Sequence, residues 1–201
     1  MKRAFSLPEL LVVIGIIVVL AALTIPAMNS MGKSSSLNSV VQAVTGTLDL
    51  ARQTAMTQNR PVEVRFYKLP EDGQPSGTPT DYRAMQIFLV DYETTNAISK
   101  PVKFSTPVII STDETVSTLM NETAFPEQAA PADAPVPPAG PNYRYRSFRY
   151  RPDGSAEVPS NPAFTLTLVN KTDPIKANNL PANFATIQIE PMTGRPKVHR
   201  P

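Results

Sequence analysis

The chain has 201 residues, a formal net charge of +2 and 41% hydrophobic residues, which suffices for one folded domain and a further segment. It contains no cysteine, which excludes disulfide bonds and thiolate chemistry, and its one histidine, His199, cannot form a histidine-based metal site. No large charge excess points to nucleic acid or anionic lipid as the main partner. No catalytic constellation is visible in the sequence, so we expect neither enzymatic activity nor a cofactor.

The N-terminal region is the most distinctive part of the sequence. Two cations, Lys2 and Arg3, precede an apolar run, and no charged side chain occurs from Leu10 to Met28. Nineteen residues at a rise of about 1.5 Å each form a helix of roughly 28 Å, close to the thickness of the hydrocarbon core of a bilayer. The run predicts a membrane-spanning helix, and the cations ahead of it favour a cytoplasmic N-terminus.

Glu9 lies directly before this run, where a carboxylate is costly if it is drawn into the bilayer. Ser6 and Glu9 have the spacing of a helix-capping box, and Pro8 suits a first helical turn because its missing N–H leaves no hydrogen bond unmade. Capping accounts for the position of Glu9 but not for the junction in front of it. From the residues alone, a capping role and a separate functional role both stay open.

The residues from Ala4 to Ile14 resemble the class III signal of type IV pilins and type II secretion pseudopilins; their sequence is AFSLPELLVVI. In this family a prepilin peptidase cuts the chain on the cytoplasmic side, before the aromatic residue, and methylates the new amino group. The resemblance implies cleavage between Ala4 and Phe5, methylation of Phe5, and an assembly role for Glu9. The chain departs from the family at Ala4, where glycine is usual and alanine is the closest substitute in size.

The resemblance also implies a role for the charge pair that cleavage creates. In a filament, Glu9 of one subunit would lie beside the free amine of Phe5 in its neighbour. Opposite charges about 4 Å apart attract by roughly 4 kcal/mol at an effective dielectric constant of about 20, before desolvation is subtracted. An unpaired Glu9 would be penalised instead, so the pair would favour correct register. Loss of Lys2 and Arg3 would bring the net charge from +2 to 0.

Two other kinds of membrane segment are alternatives. A conventional cleaved signal peptide has a charged start and small residues such as Ala21, Ala22 and Ala27, but Glu9 and the continuing helical pattern argue against it. A plain single-pass anchor would gain nothing from Glu9.

The helical pattern continues beyond the apolar run. Gly15 and Pro26 are the only helix weakeners within it; Pro26 predicts a kink or loosening, and the resemblance implies local flexibility at both residues. In the half that follows, apolar residues recur at three- and four-residue spacing, which is typical of one buried face of a helix. The helix is predicted to end before Pro61, because the residue that precedes a proline avoids the helical conformation. These apolar residues are Leu37, Val40, Val41, Val44, Leu48, Ala51 and Ala55.

The rest of the chain predicts an antiparallel sheet, because segments that alternate apolar and polar residues are separated by turn signals such as Asp153-Gly154 and Thr193-Gly194. The predicted strands are 62–67, 84–90, 102–110, 143–151, 163–169, 185–190 and 195–199, with a helical turn at 116–120. The fold class is therefore α+β, with a long N-terminal helix, membrane-spanning in its first half and amphipathic in its second, packed on an antiparallel β-sheet domain. We assign residues 1–4 to a leader, 5–28 to the transmembrane half, 29–58 to the amphipathic half and 59–201 to the β-rich domain.

Two strand–turn segments extend the resemblance. Phe148–Ser155 and Ile187–Arg195 are similar to segments of the H-type minor pseudopilins and the related minor type IV pilins. The overall pattern is also similar to the prepilin-like cassette protein D family. Because Asp-Gly and Thr-Gly turns are common in hairpins, turn chemistry alone is the alternative explanation.

The proline-rich residues 126–142 lie between the predicted strands 102–110 and 143–151. They predict a long solvent loop, or a peptide ligand for a partner.

Residues 143–151 interleave arginines with aromatic residues, as single-stranded nucleic acid binding sites do, and Arg195, Lys197 and Arg200 could add charge. The alternation breaks at Ser147, which moves the later aromatics to the other face unless a bulge restores the register. With a bulge, a strand with aromatics inward and arginines outward explains most of the pattern. The candidate nucleic-acid contacts are Arg144, Arg146, Arg149 and Arg151.

We therefore expect a minor pilin-like subunit of a type II secretion or type IV pilus-like filament. Its expected partners are prepilin peptidase, other pilin-like subunits through the N-terminal helix, the inner membrane and secreted cargo; nucleic acid is not expected. The N-terminus would be cytoplasmic and the globular domain extracytoplasmic. The alternative is a membrane-anchored binding module that does not polymerise, including a DNA-binding minor pilin.

Overall fold

A computed structural model describes residues 7–70, 77–91, 94–131, 142–173, 175 and 180–201, without the side chains of residues 21–31. The chain forms two compact units, Met1–Ser35 and Ser36–Pro201. One helix, α1 (Leu7–Gln58), contributes residues to both units. The predicted α+β class, an N-terminal helix with an antiparallel sheet, is confirmed.

The part of α1 in the second unit buries the predicted apolar stripe. All seven side chains are at most 3% exposed and belong to one hydrophobic core with residues of the sheet. These residues are Leu37, Val40, Val41, Val44, Leu48, Ala51 and Ala55. Their spacing places them on one helical face, and burial of each valine or leucine stabilises the fold by about 1.5–3 kcal/mol. Packing of this face on the sheet, more than helix propensity, therefore holds this part of the helix.

The helix ends where the sequence predicts, before Pro61. Asn59 has a φ of 51°, in the left-handed region that asparagine tolerates better than most residues. The amide of Arg60 donates to the carbonyl of Ala55 over 3.2 Å, which is the long hydrogen bond of a Schellman motif. The chain then enters the first strand directly.

Within the described residues ten strands form one sheet, and all their pairings are antiparallel. They are β1 (Val62–Leu69), β2 (Asp81–Val90), β3 (Thr95–Ala97), β4 (Val102–Lys103), β5 (Val108–Ile110), β6 (Gln128–Ala129), β7 (Arg144–Tyr150), β8 (Thr165–Asn170), β9 (Phe184–Ile189) and β10 (Pro196–His199). The order across the sheet is β10-β9-β8-β5-β2-β1-β7-β6, and β3 and β4 also pair with β2. A 3₁₀ helix, Thr118–Met120, lies within the predicted helical turn.

The sheet has two different faces, because successive side chains of a strand point to opposite sides. Val62, Val64 and Phe66 of β1 join the core beneath α1. Tyr67 and Leu69 of the same strand belong to a second, smaller buried cluster on the other side, which we call the outer face.

Three details of the sheet differ from the sequence-based prediction. The strand predicted at 102–110 is two short strands, because the side chain of Phe104 turns into the core and Pro107 cannot donate an amide to a ladder. Strand β3 was not predicted, since its three residues are all exposed and lack apolar alternation. Strand β6 lies inside the predicted proline-rich loop, where it pairs with β7; residues 132–141 of that loop lie outside the described residues.

Candidate functional site

The first part of α1 presents apolar side chains to its surroundings. Every large apolar residue in Leu7–Leu20 is between 48% and 79% exposed. We call these residues the exposed apolar segment. An apolar surface on all sides of a helix is stable only when other apolar groups cover it, so this segment is a candidate site of association.

The predicted processing and assembly residues lie in or near this segment. Glu9 is exposed in the first turn of α1, where free backbone N–H groups favour a carboxylate. Gly15 lies within the helix, and apart from the adjoining helix backbone no atom of the described residues is within 4 Å of the place that a Cβ would take. Ala4, Phe5 and the side chain of Pro26 lie outside the described residues. In the part of the chain that the structure describes, no helix is both long and apolar enough to cross a membrane.

The two strand–turn segments that extend the resemblance meet in the structure. The amide of Ala156, which follows the first turn, donates to the carbonyl of Pro191 in the second over 2.8 Å. On the helix side, Nε of Arg52 donates to the carbonyl of Thr193 over 2.6 Å. The two turns are therefore fastened both to each other and to α1 within the second unit.

Strand β7 carries the arginine-aromatic pattern, and its pairing with β1 is regular throughout. No bulge lies at Ser147, so the interpretation that a bulge keeps all the aromatics on one face is wrong. Tyr143 and Tyr145, before Ser147, belong to the cluster on the outer face, whereas Phe148 and Tyr150, after it, belong to the core beneath α1. The alternative reading, in which the later aromatics change face, is the one that the structure has.

Each of the four predicted nucleic-acid contacts lies within 3.7 Å of a carboxylate. The N–O distances are 3.7 Å for Arg144–Glu127, 2.5 Å for Arg146–Glu122, 3.7 Å for Arg149–Glu63 and 3.0 Å for Arg151–Glu157. Three of these arginine side chains are 50–56% exposed, but that of Arg146 is only 9% exposed. Because a phosphate backbone is bound by uncompensated cations, this arrangement does not favour a nucleic-acid contact, which stays an untested alternative.

Arg146 fastens residues 121–130, which we call the strap, to the sheet. Its Nε donates to the hydroxyl of Tyr82 over 3.0 Å and its Nη2 to a carboxylate oxygen of Glu122 over 2.5 Å. Its Nη1 donates to the carbonyl of Phe125, whose ring is buried in the main core. A single guanidinium therefore binds the strap through both its backbone and a side chain.

A second carboxylate of the strap, that of Glu127, contacts the same tyrosine, Tyr82, as Arg146 does. It accepts hydrogen bonds from Nζ of Lys68 over 3.0 Å and from the hydroxyl of Tyr82 over 2.8 Å. Partial burial opposes the charge of Glu127, but these hydrogen bonds outweigh it and hold the pKa of its carboxyl below the ordinary range. The pKa of Glu122 is lowered by the hydrogen bond from the amide of Glu127 and, after that, by Arg146.

We expect the attachment of the strap to weaken in acid. Because the pKa values of Glu122 and Glu127 are lower in the folded chain, their contribution to the free energy of unfolding is present above the unfolded carboxyl pKa of about 4.3. It is lost as the pH falls through the folded values. Urea unfolding between about pH 3 and pH 6 measures this, and Glu127→Gln should lose less stability over that range than the wild type. Equal losses would contradict the prediction.

The outer face contains a buried ion pair that sequence reasoning missed. Nε of Arg65 donates to Glu63 over 2.8 Å, and both residues are less than 9% exposed. The guanidinium carbon lies 4.2 Å from the ring centroid of Phe88 and 4.7 Å from that of Tyr145. Burial acts to lower the pKa of Arg65, but Glu63 keeps that pKa above its usual value. Opposite charges two residues apart on one strand were the only sequence signal, and they also fit a solvated face.

No metal-binding geometry is visible in the described ranges, since no group of three histidine, cysteine, aspartate or glutamate residues there could hold a metal ion.

No protein-family model matches this chain, and no curated protein matches it in sequence.

Three solved structures are similar to the chain at low sequence identity. Two are crystal forms of the type IV minor pilin FimU of Pseudomonas aeruginosa, both at 14% identity. One has a TM-score of 0.43 and covers 82% of this chain and 89% of that chain, and the other has a TM-score of 0.40 and covers 81% and 92%. The third is the minor pseudopilin EpsH from the type 2 secretion system of Vibrio cholerae, at 9% identity with a TM-score of 0.44, covering 83% and 96%.

Proposed function

We propose that this chain is a minor pilin-like structural subunit of a type II secretion or type IV pilus-like filament. The observation that carries the proposal is the segment from Ala4 to Ile14, which resembles a prepilin signal and leads directly into α1. The exposed apolar segment of that helix supplies a surface that needs a partner. The amphipathic packing of the later part of α1 on an antiparallel sheet agrees with the same reading.

In this proposal, prepilin peptidase cleaves between Ala4 and Phe5 and methylates Phe5. The apolar residues 5–28 then anchor the chain in the inner membrane, with the sheet unit outside the cytoplasm, until neighbouring subunits cover the helix. Glu9 pairs with the Phe5 amine of a neighbour as both lose water, so a subunit in the wrong register would leave a carboxylate unpaired. The sheet unit would contact sister subunits or secreted cargo.

The test is the intact mass and N-terminal sequence of the chain after co-expression with a prepilin peptidase. We expect a chain that starts at methylated Phe5, and Ala4→Gly should be cut at least as completely. A chain that still starts at Met1 would instead favour a plain anchor. A cut near Ala22 or Ala27 would make the segment a conventional signal peptide, and the filament subunit would be excluded.

Glu9→Val separates assembly from processing in the same experiment. The variant should be cut normally, because the scissile bond is intact, but should no longer co-purify with sister pilin-like subunits. Glu114→Val is the matched control, since Glu114 is an exposed carboxylate of the sheet unit. Normal assembly of Glu9→Val would mean that Glu9 only caps the helix, and an anchored module that does not polymerise would then be the better reading.

A further inference from the structure

An open groove of about 680 Å³ lies where the two turn segments meet. Its apolar lining includes Phe125 of the strap, Val158 after the first turn, and Pro191 and Met192 in the second. The side chain of Met192 is 81% exposed, although methionine is costly to leave in water. Flexible, polarizable methionine side chains are common at protein-binding surfaces, so the groove has the lining of a docking site.

The groove is also acidic. Asp153, Glu157 and Glu190 line it together with one cation, Arg151, which gives a formal charge of −2 (three carboxylates and one guanidinium). Arg151 is already paired with Glu157 at 3.0 Å, and Asp153 accepts hydrogen bonds from Ser155 within its own turn. Glu190 is half-buried, and among the described residues its carboxylate forms no hydrogen bond or ion pair. A cationic group in the groove would therefore find a carboxylate that has no partner among the described residues.

A basic segment lies at the edge of the same sheet. Strand β10 pairs only with β9 among the described strands, and residues 195–200 contain three cations, Arg195, Lys197 and Arg200. Val198 between them is 40% exposed. Arg200 donates to Asn38 over 2.5 Å, whereas the side chains of Arg195 and Lys197 are exposed and form no hydrogen bond or ion pair within the described part of the chain.

We propose that the acidic groove of one copy binds the basic edge segment, residues 195–200, of a second copy. The formal charges are complementary, −2 from the lining of the groove against +2 from the two exposed cations Arg195 and Lys197. Glu190 and Arg195 share a backbone hydrogen bond in one turn, but their side chains form no ion pair with any described residue, so both stay available to a second copy. Each copy carries both surfaces, so the contact either closes into a symmetric ring, of which a two-fold dimer is the smallest, or continues from copy to copy.

This contact deepens the proposed function, because it names a partner for the sheet unit, but it does not depend on processing or on Glu9. It can therefore fail or succeed independently of the proposed helix packing.

The test uses full-length chains with two different tags, in detergent micelles, and measures co-capture as a function of concentration. Glu190→Lys and Lys197→Glu should each weaken association with copies of the same variant about tenfold or more, because each places like charges together. A mixture of the two variants should restore association to within about threefold of the wild type, since every contact between unlike variants has opposite charges. Raising the ionic strength from about 0.1 M to about 1 M should weaken the wild-type contact.

Two controls make the result specific. Glu114→Lys changes an exposed carboxylate that does not line the groove, and should leave association unchanged. Glu9→Val tests the other possible source of association: if it abolishes co-capture while both charge reversals leave co-capture intact, the association belongs to the helices. Unchanged association in both charge reversals, or no recovery on mixing them, would overturn the proposal. A wild-type chain without any co-capture would overturn it too, and the groove would then be left for a basic segment of another protein.

Discussion

Replacing Gly194 by alanine is expected to destabilise the second unit by about 3 kcal/mol or more. Gly194 has a φ of 64°, in the left-handed region that L side chains adopt at a cost. A Cβ there would lie 2.2 Å from the carbonyl oxygen of Gly154 and 2.9 Å from Cε1 of Tyr150. The first contact is with backbone and the second with a fully buried ring, so neither neighbour can move without disturbing the junction of the two turns.

Chemical denaturation of the variant measures this cost, and two other glycines provide controls. Gly154 has a φ of 83°, but its nearest neighbour would be Sδ of Met56 at 2.8 Å, the flexible end of a side chain, so Gly154→Ala should cost only about 1–2 kcal/mol. Gly46 is exposed within α1, and apart from the adjoining helix backbone no atom of the described residues would lie within 4 Å of an added Cβ, so Gly46→Ala should stabilise the chain by up to about 1 kcal/mol. If Gly194→Ala were as stable as Gly154→Ala or more stable, the result would contradict a clash between the added Cβ and the backbone.

The same junction gives the turns a double role. The hydrogen bond from Arg52 to Thr193 and the close approach of Gly194 to Gly154 fix the walls of the acidic groove. A groove whose walls are already in place loses less conformational entropy on binding than one that must first become ordered, so the packing that stabilises the sheet unit should also favour association. Variants that loosen the turns should therefore weaken co-capture because they destabilise the sheet unit. The charge reversals avoid this effect, because they change exposed or half-buried side chains.

Local periodicity predicted those parts of the fold that depend on neighbours in the sequence. The spacing from Leu37 to Ala55 was sufficient to identify the buried face of α1, because a helix repeats every 3.6 residues whatever it packs against. Alternation similarly located β9, which has one covered face, and β1, although the expectation of one covered face was wrong for β1, because both of its faces are buried. The N-terminal motif predicted an assembly role for Glu9 from resemblance alone, and that role stays a prediction.

The parts that could not be predicted depend on residues far apart in the chain. Strand alternation does not show which loop covers a given end of a sheet face. The sequence therefore could not tell that Arg146 is buried and Arg144 exposed. The strap covers Arg146 because Phe125 enters the core, which brings the carbonyl of Phe125 and the carboxylate of Glu122 within hydrogen-bonding distance of the guanidinium. The ion pair of Arg65 with Glu63 was equally hidden, since its burial depends on aromatic rings of β2 and β7.

This contrast leads to the prediction that Arg146→Ala destabilises the chain by about 2–4 kcal/mol, whereas Arg144→Ala costs less than about 1 kcal/mol. Both arginines lie on β7 and both approach a carboxylate of the strap. Arg144 is 56% exposed and 3.7 Å from Glu127, a geometry in which water replaces most of the lost interaction. Loss of Arg146 instead leaves the carbonyl of Phe125 without its donor and removes a guanidinium that is buried against the hydroxyl of Tyr82.

Urea unfolding of both variants, with limited proteolysis of the strap, tests the difference. Arg146→Met should recover part of the stability by filling the volume of the side chain stem, but it should not restore protection of the strap, because only the guanidinium donates to both Phe125 and Glu122. Equal costs for Arg144→Ala and Arg146→Ala would mean that the strap is held by the burial of Phe125 alone. In that case Phe125→Ala, and not Arg146→Ala, should be the variant that releases the strap to the protease.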